Sequence, residues 1–115
     1  MHELGILNEV LDTALRVAEQ HGGSKVTKIT LRIGLMSGIV PRFVQSYFDV
    51  LSKDTIAKDA KLIIEIDPAV YLCCDCGAKT TYTEQAPHFE CEKCGSRTLR
   101  LLSGYGFQIV NVGIV

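Results

Sequence analysis

Four cysteines in two matching pairs carry the most specific chemistry in this sequence. Cys73 and Cys76 lie in C-C-D-C-G, Cys91 and Cys94 in C-E-K-C-G, and fourteen residues separate Cys76 from Cys91. In each C-x-x-C-G unit a tight turn aims both thiolates at one ion. The glycine after the second cysteine (Gly77, Gly95) admits the positive φ that such a turn often needs. Four thiolates at these spacings specify a closed tetrahedral S₄ site, which suits Zn²⁺ and is structural rather than catalytic. Spacing alone does not separate zinc from a rubredoxin-like iron; zinc is favoured because nothing else in the chain looks like electron transfer. Two disulfides are the competing reading. With no basic region before an apolar core at the N-terminus, a reducing, cytoplasmic location is expected and disulfides are not. Cys74 is left over as a free thiol beside the site.

The amino terminus offers a second donor set. The Met1 amine, the His2 amide nitrogen once deprotonated, and the His2 imidazole Nδ1 can close two fused chelate rings. Nitrogen-rich planar coordination of this kind favours Ni²⁺ or Cu²⁺ over Zn²⁺. Glu3 can add its amide nitrogen or its carboxylate. The same residues also read as an ordinary terminal histidine and a helix N-terminal carboxylate favoured by the dipole, and residue types alone leave both readings open.

These groups need elements to position them. Leu4, Leu7, Leu11, Ala14, Leu15 and Ala18, widened by Ile6, Val10 and Val17, form one stripe at helical spacing. His21-Gly22-Gly23 closes that helix, with His21 as a turn residue and a glycine placed for a left-handed cap. From Lys25 to Ile33 the period becomes two, which predicts a half-buried strand. Pro41 fits the first turn of a second helix, with Val44, Tyr47, Phe48 and Leu51 on its buried face and its end near Asp54. Lys61 to Asp67 predicts a second strand, interrupted by Pro68, after which residues 69–72 lead into the first knuckle. Lys79–Thr83 and Arg97–Leu102 are expected to be the two arms of a small ribbon. Residues 107–115 are apolar and β-prone, and are expected to return to the main sheet as its third strand. The fold expected is α+β: a small three-stranded sheet with two helices and an inserted zinc-ribbon subdomain.

Composition excludes more than it assigns. The 115 residues suffice for one compact domain with a metal-stapled subdomain, and 47% hydrophobic content is that of an ordinary globular chain. A formal charge of −1 argues against nucleic acid, and no apolar run approaches a membrane span. Lys79, Lys93, Arg97 and Arg100 give the ribbon a local basic bias that Glu84, Glu90 and Glu92 dilute. A zinc-ribbon module for nucleic acid or protein therefore stands only as the alternative. A metalloenzyme is disfavoured, because an S₄ site leaves no open position for substrate.

Taken in order, M-H-E-L, the amphipathic helix, K-I-T-L-R-I-G, S-G-I-V-P-x-x-F and the paired C-x-x-C-G knuckles resemble the HypA/HybF family of hydrogenase and urease nickel-insertion accessory proteins. The likeness covers essentially the whole chain. It implies a nickel-binding domain, residues 1–69 plus 103–115, and a zinc-ribbon domain, residues 70–102. It further implies Ni(II), carried as cargo, on Met1, His2 and Glu3, and structural Zn(II) on Cys73, Cys76, Cys91 and Cys94. The partners implied are a HypB-type GTPase and a [NiFe]-hydrogenase large-subunit precursor, with the protein a monomer or homodimer and not an enzyme. Two positions depart from the family pattern: Gly5 stands where serine is common, and Val40 where many members carry an acidic residue. His88, between the knuckles, reads as a surface histidine.

Overall fold

The computed structural model describes residues 3–83 and 89–115, with Glu3 and Leu4 described by backbone alone. Met1, His2 and His88, and the side chain of Glu3, lie outside the described residues. The described chain forms two helices and two three-stranded sheets, the α+β class expected from the sequence.

Helix α1 (Glu3–Gln20) follows the predicted stripe: Ile6, Leu7, Val10, Leu11, Ala14 and Ala18 are buried. It ends in a Schellman motif. Gly22 adopts φ 66°, its N–H reaches the Glu19 carbonyl at 3.3 Å, and the Gly23 N–H reaches the Ala18 carbonyl at 2.8 Å. Strand β1 (Val26–Gly34) buries Ile29, Leu31 and Ile33 on alternate positions, as period two requires.

Helix α2 (Pro41–Ser52) buries Val44, Phe48 and Ser52. Two expectations for it need correction. Tyr47 is not on the buried face; it is 42% exposed beside Phe43, with ring centroids 6.3 Å apart, while the Arg42 guanidinium lies 4.8 Å from the Phe43 ring centre. Phe43 and Tyr47 are four residues apart and so share a flank, whereas burial runs along 44, 48 and 52. The helix also stops at Ser52, whose hydroxyl, like that of Thr55, turns back to bond a carbonyl of the last turn. Val40 is the N-cap, extended at φ −98° and ψ 103°, and its side chain makes no capping bond. Val40→Asp is therefore expected to stabilise the protein by about 1 kcal/mol, read as a raised urea midpoint with an unchanged slope.

Strand β2 (Lys61–Asp67) is tied to α2 through Gln45, whose amide donates to the Ala60 carbonyl at 3.2 Å and accepts the Leu62 N–H at 2.8 Å. Strands β3 (Ala69–Cys73), β4 (Lys79–Tyr82), β5 (Leu99–Ser103) and β6 (Phe107–Ile114) complete the chain. The first sheet has the order β2-β1-β6, so the C-terminal segment is its third strand as expected.

The second sheet differs from the ribbon anticipated. Its order is β4-β3-β5, antiparallel throughout, with Tyr71 opposite both Thr80 and Leu101. The segment read as a lead into the first knuckle is the central strand, and each arm pairs with it rather than with the other arm. Its residues are half-buried between two buried ends, with no alternation, so the period-two signal is missing.

Contacts divide the chain into two compact units. One comprises the chain up to Arg32 with Gly38–Glu65 and Gln108–Val115; the other comprises Ile33–Ser37 and Ile66–Phe107.

Candidate metal centre

The two knuckles are local copies of one another. In the first, the Cys73 N–H bonds the Ala78 carbonyl at 2.8 Å and the Gly77 N–H bonds the Cys73 carbonyl at 3.0 Å. In the second, the Cys91 N–H bonds the Ser96 carbonyl at 2.8 Å and the Gly95 N–H bonds the Cys91 carbonyl at 2.9 Å. Gly77 and Gly95 have φ of 75° and 73°, the left-handed turn that their place in C-x-x-C-G anticipates. Each first cysteine is buried and each second one exposed.

Folding brings the four sulfurs together. Cys73, Cys76, Cys91 and Cys94 place their Sγ atoms all within 4.8 Å of one another. Two contacts cross between knuckles: Cys73 to Cys94 at 3.6 Å and Cys76 to Cys91 at 3.5 Å. A tetrahedron with metal–sulfur bonds of about 2.3 Å has edges of about 3.8 Å. The cluster fits that tetrahedron with little adjustment. It does not fit two disulfides, whose sulfurs would lie about 2.05 Å apart. Cys74 is exposed and outside the cluster, as the matching of the two units requires.

Without a metal, four thiols this close cannot all ionise, and they titrate as two unequal pairs. Backbone N–H groups of Cys94, then Lys93, bond the Cys91 sulfur and hold its pKa down to about 6. The N–H of Cys76 chiefly does the same for Cys73, which is also lowered. Their partners move the other way. A backbone bond from Ser96 pulls Cys94 down, but hydrogen bonding with Cys73, desolvation and the remaining thiols outweigh it, leaving Cys94 pushed up to about 12. Cys76 is raised as well: the Ala78 N–H favours its thiolate, but Cys91, desolvation and Cys73 together oppose it.

Several residues that sequence reasoning passed over support the centre. Tyr82 is buried and its hydroxyl donates to the carbonyl of Glu90, the residue before Cys91. Tyr71, Tyr82 and Phe89 form an aromatic cluster with ring centroids 5.4 to 6.0 Å apart. Asp75 accepts a hydrogen bond from the Ser96 hydroxyl, joining one knuckle to the exit of the other. No local pattern announces these partners, because each pairing spans the two knuckles or bridges a strand to one.

Residues 1–114 match the HypA family, described as hydrogenase/urease nickel incorporation, metallochaperone. The chain belongs to the HypA family. Among relatives, a hydrogenase maturation factor HypA of Picosynechococcus is 31% identical over the full length of both chains. One from Caldanaerobacter subterraneus subsp. tengcongensis is 35% identical, over 84% of this chain and 83% of its own. The solution structure of the Ni metallochaperone HypA from Helicobacter pylori has the same fold, with a TM-score of 0.68, 21% identity and coverage of 100% and 98% of the two chains. HypA proteins are metallochaperones, not enzymes, and the resemblance read from the sequence was to this family. Among the described residues no helix is long and apolar enough to cross a membrane.

Proposed function

We propose that this HypA-family protein binds Ni(II) at its amino terminus and hands it to the large-subunit precursor of a [NiFe]-hydrogenase in the cytoplasm, with a HypB-type GTPase as partner. The observation that carries this reading is the family match from residue 1 to residue 114, which takes in the M-H-E start together with both knuckles. In this reading residues 1–69 and 103–115 are the nickel-binding domain and residues 70–102 the zinc ribbon. The Met1 amine, the His2 amide and imidazole nitrogens and Glu3 hold the cargo. A terminal site suits a donor because its ligands lift away one at a time.

Cys73, Cys76, Cys91 and Cys94 hold zinc, which supplies structural cross-linking and no open coordination position. The chain's own part is to present four sulfurs in near-tetrahedral array and to stabilise their ionised form with knuckle N–H groups.

The test is a nickel titration of zinc-loaded protein with native Met1, wild type against His2→Ala. His2→Ala is expected to weaken nickel binding at least about tenfold and to remove the planar, nitrogen-rich absorption, with zinc content unchanged. Wild-type affinity is expected to rise with pH, because coordination by the His2 amide releases a proton. Equal nickel binding by both proteins would take the site away from the amino terminus.

A further inference from the structure

The two knuckles are joined by more than sulfur. Asp75 lies inside the first, between Cys74 and Cys76, and Ser96 lies two residues past Cys94. The Ser96 hydroxyl donates to the Asp75 carboxylate and accepts the Thr98 N–H at 3.1 Å. The Thr98 carbonyl in turn accepts the Cys74 N–H at 2.9 Å. From Asp75 through Ser96 and Thr98 to Cys74, three hydrogen bonds close a ring that ties one knuckle to the exit of the other. None of its groups belongs to the four-sulfur cluster.

The ring lies at the open side of the centre. Cys73 and Cys91 are buried, whereas Cys76, next to Asp75, and Cys94, two residues before Ser96, are exposed. A competing chelator reaches the metal by displacing an exposed thiolate, and outward movement of its knuckle carries that sulfur away. The Asp75–Ser96 bond opposes that movement. The carboxylate makes it charge-assisted, stronger than a bond between neutral groups.

We propose that Asp75 and Ser96 are a positioning pair, a latch that sets how fast a metal held by Cys73, Cys76, Cys91 and Cys94 is surrendered. This rests on the metal reading of those cysteines given above. The latch acts on the rate of release and leaves the ligand set unchanged, so its removal shows in kinetics rather than in stoichiometry.

The experiment loads full-length protein with zinc and follows transfer to an excess of chromogenic chelator near neutral pH. The proteins are wild type, Ser96→Ala, Ser96→Thr, Asp75→Ala, Asp75→Asn, the Asp75→Ala/Ser96→Ala double variant, and Cys91→Ala as a ligand control. Ser96→Ala and Asp75→Ala are each expected to release zinc roughly three- to tenfold faster while still carrying one zinc per chain. The double variant is expected to be no faster than either single one, since both remove the same bond. Ser96→Thr keeps the hydroxyl and is expected to restore the wild-type rate. Asp75→Asn keeps an acceptor oxygen and is expected to stay within about twofold of it. If both Asp75 variants change the rate and Ser96→Ala does not, the carboxylate acts through its charge and the latch is wrong. If every variant loads one zinc and releases it at the wild-type rate, the latch is wrong while the zinc centre stands. If wild type takes up no zinc, or Cys91→Ala keeps it as tightly, the centre itself has failed, and the latch falls with it.

Discussion

Chelating the metal, or replacing Cys91 by alanine, is expected to unfold the β3–β4–β5 sheet outright rather than loosen it. The reason lies in what that unit has for a core. Within Ile33–Ser37 and Ile66–Phe107, the described apolar residues that are buried are Ile33, Ala69, Cys73, Tyr82 and Cys91. Two of these five belong to the four-cysteine cluster. Strands of 4 and 5 residues do not hold together without a hydrophobic face, and this one is too small to replace the metal. Structural zinc contributes about 10–16 kcal/mol in small metal-folded units, comparable with the entire stability of a domain. Loss of amide protection across Tyr71, Thr80 and Leu101, with helical ellipticity retained, is the expected readout. A metal-free protein that keeps those amides protected would show that the cysteines are not structural.

The same centre gives a pH dependence with a definite sign. Metal binding requires four thiolates, so each thiol still protonated beforehand must release a proton. Because the metal-free ribbon is expected to be unfolded, its thiols sit near the ordinary cysteine value of about 8.5 and are mostly protonated at neutral pH. Zinc affinity is therefore expected to rise with pH through neutrality. Competition with a chelator of known protonation behaviour, repeated across that window, measures it.

What the sequence discloses depends on how far apart in the chain the interacting residues lie. The four-cysteine cluster was legible because each knuckle is closed by bonds spanning four or five residues, which leave a fixed local spacing. Helix α1 was legible because its burial follows one helical period from Ile6 to Ala18. Tyr47 was misplaced because an aromatic one position from Phe48 is hydrophobic enough to suggest burial, and composition does not say which flank faces out. The centrality of β3 was hidden because its five residues show no alternation in burial, so no period-two pattern marks it. Asp75 with Ser96, and Tyr82 with the Glu90 carbonyl, were missed for a different reason: only the folded arrangement decides that they meet.

Gly104→Ala is expected to be among the most damaging single changes in the molecule, although glycine-to-alanine is the smallest substitution available. A Cβ at Gly104 would lie 2.6 Å from the Ala69 Cα and 2.7 Å from the Pro68 carbonyl oxygen. One at Gly34 would lie 2.4 Å from the Gly104 carbonyl carbon. Every obstructing atom is backbone, so no side chain can swing aside. The strands are also pinned: the Gly34 N–H bonds the Gly106 carbonyl at 2.9 Å, and the N–H groups of Leu35 and Met36 bond the Asp67 and Gly104 carbonyls, each at 2.8 Å. Relief therefore means breaking hydrogen bonds as well as shifting chain. Gly104 adds a second cost, φ of 94°, where an L side chain is strained whatever the space. Together these are expected to cost about 3 kcal/mol or more, against about 1 kcal/mol for Gly38→Ala. Gly38 provides the control, because its φ is 81° and nothing lies within 4 Å of its would-be Cβ. Urea midpoints of Gly34→Ala, Gly104→Ala and Gly38→Ala, each zinc-loaded, separate the two costs: Gly38 reports strain alone, Gly34 contact alone, Gly104 both. Gly104→Ala no worse than Gly38→Ala would mean that the close stacking of 34–36, 104–106 and 67–69 is not what fixes the entry to β3.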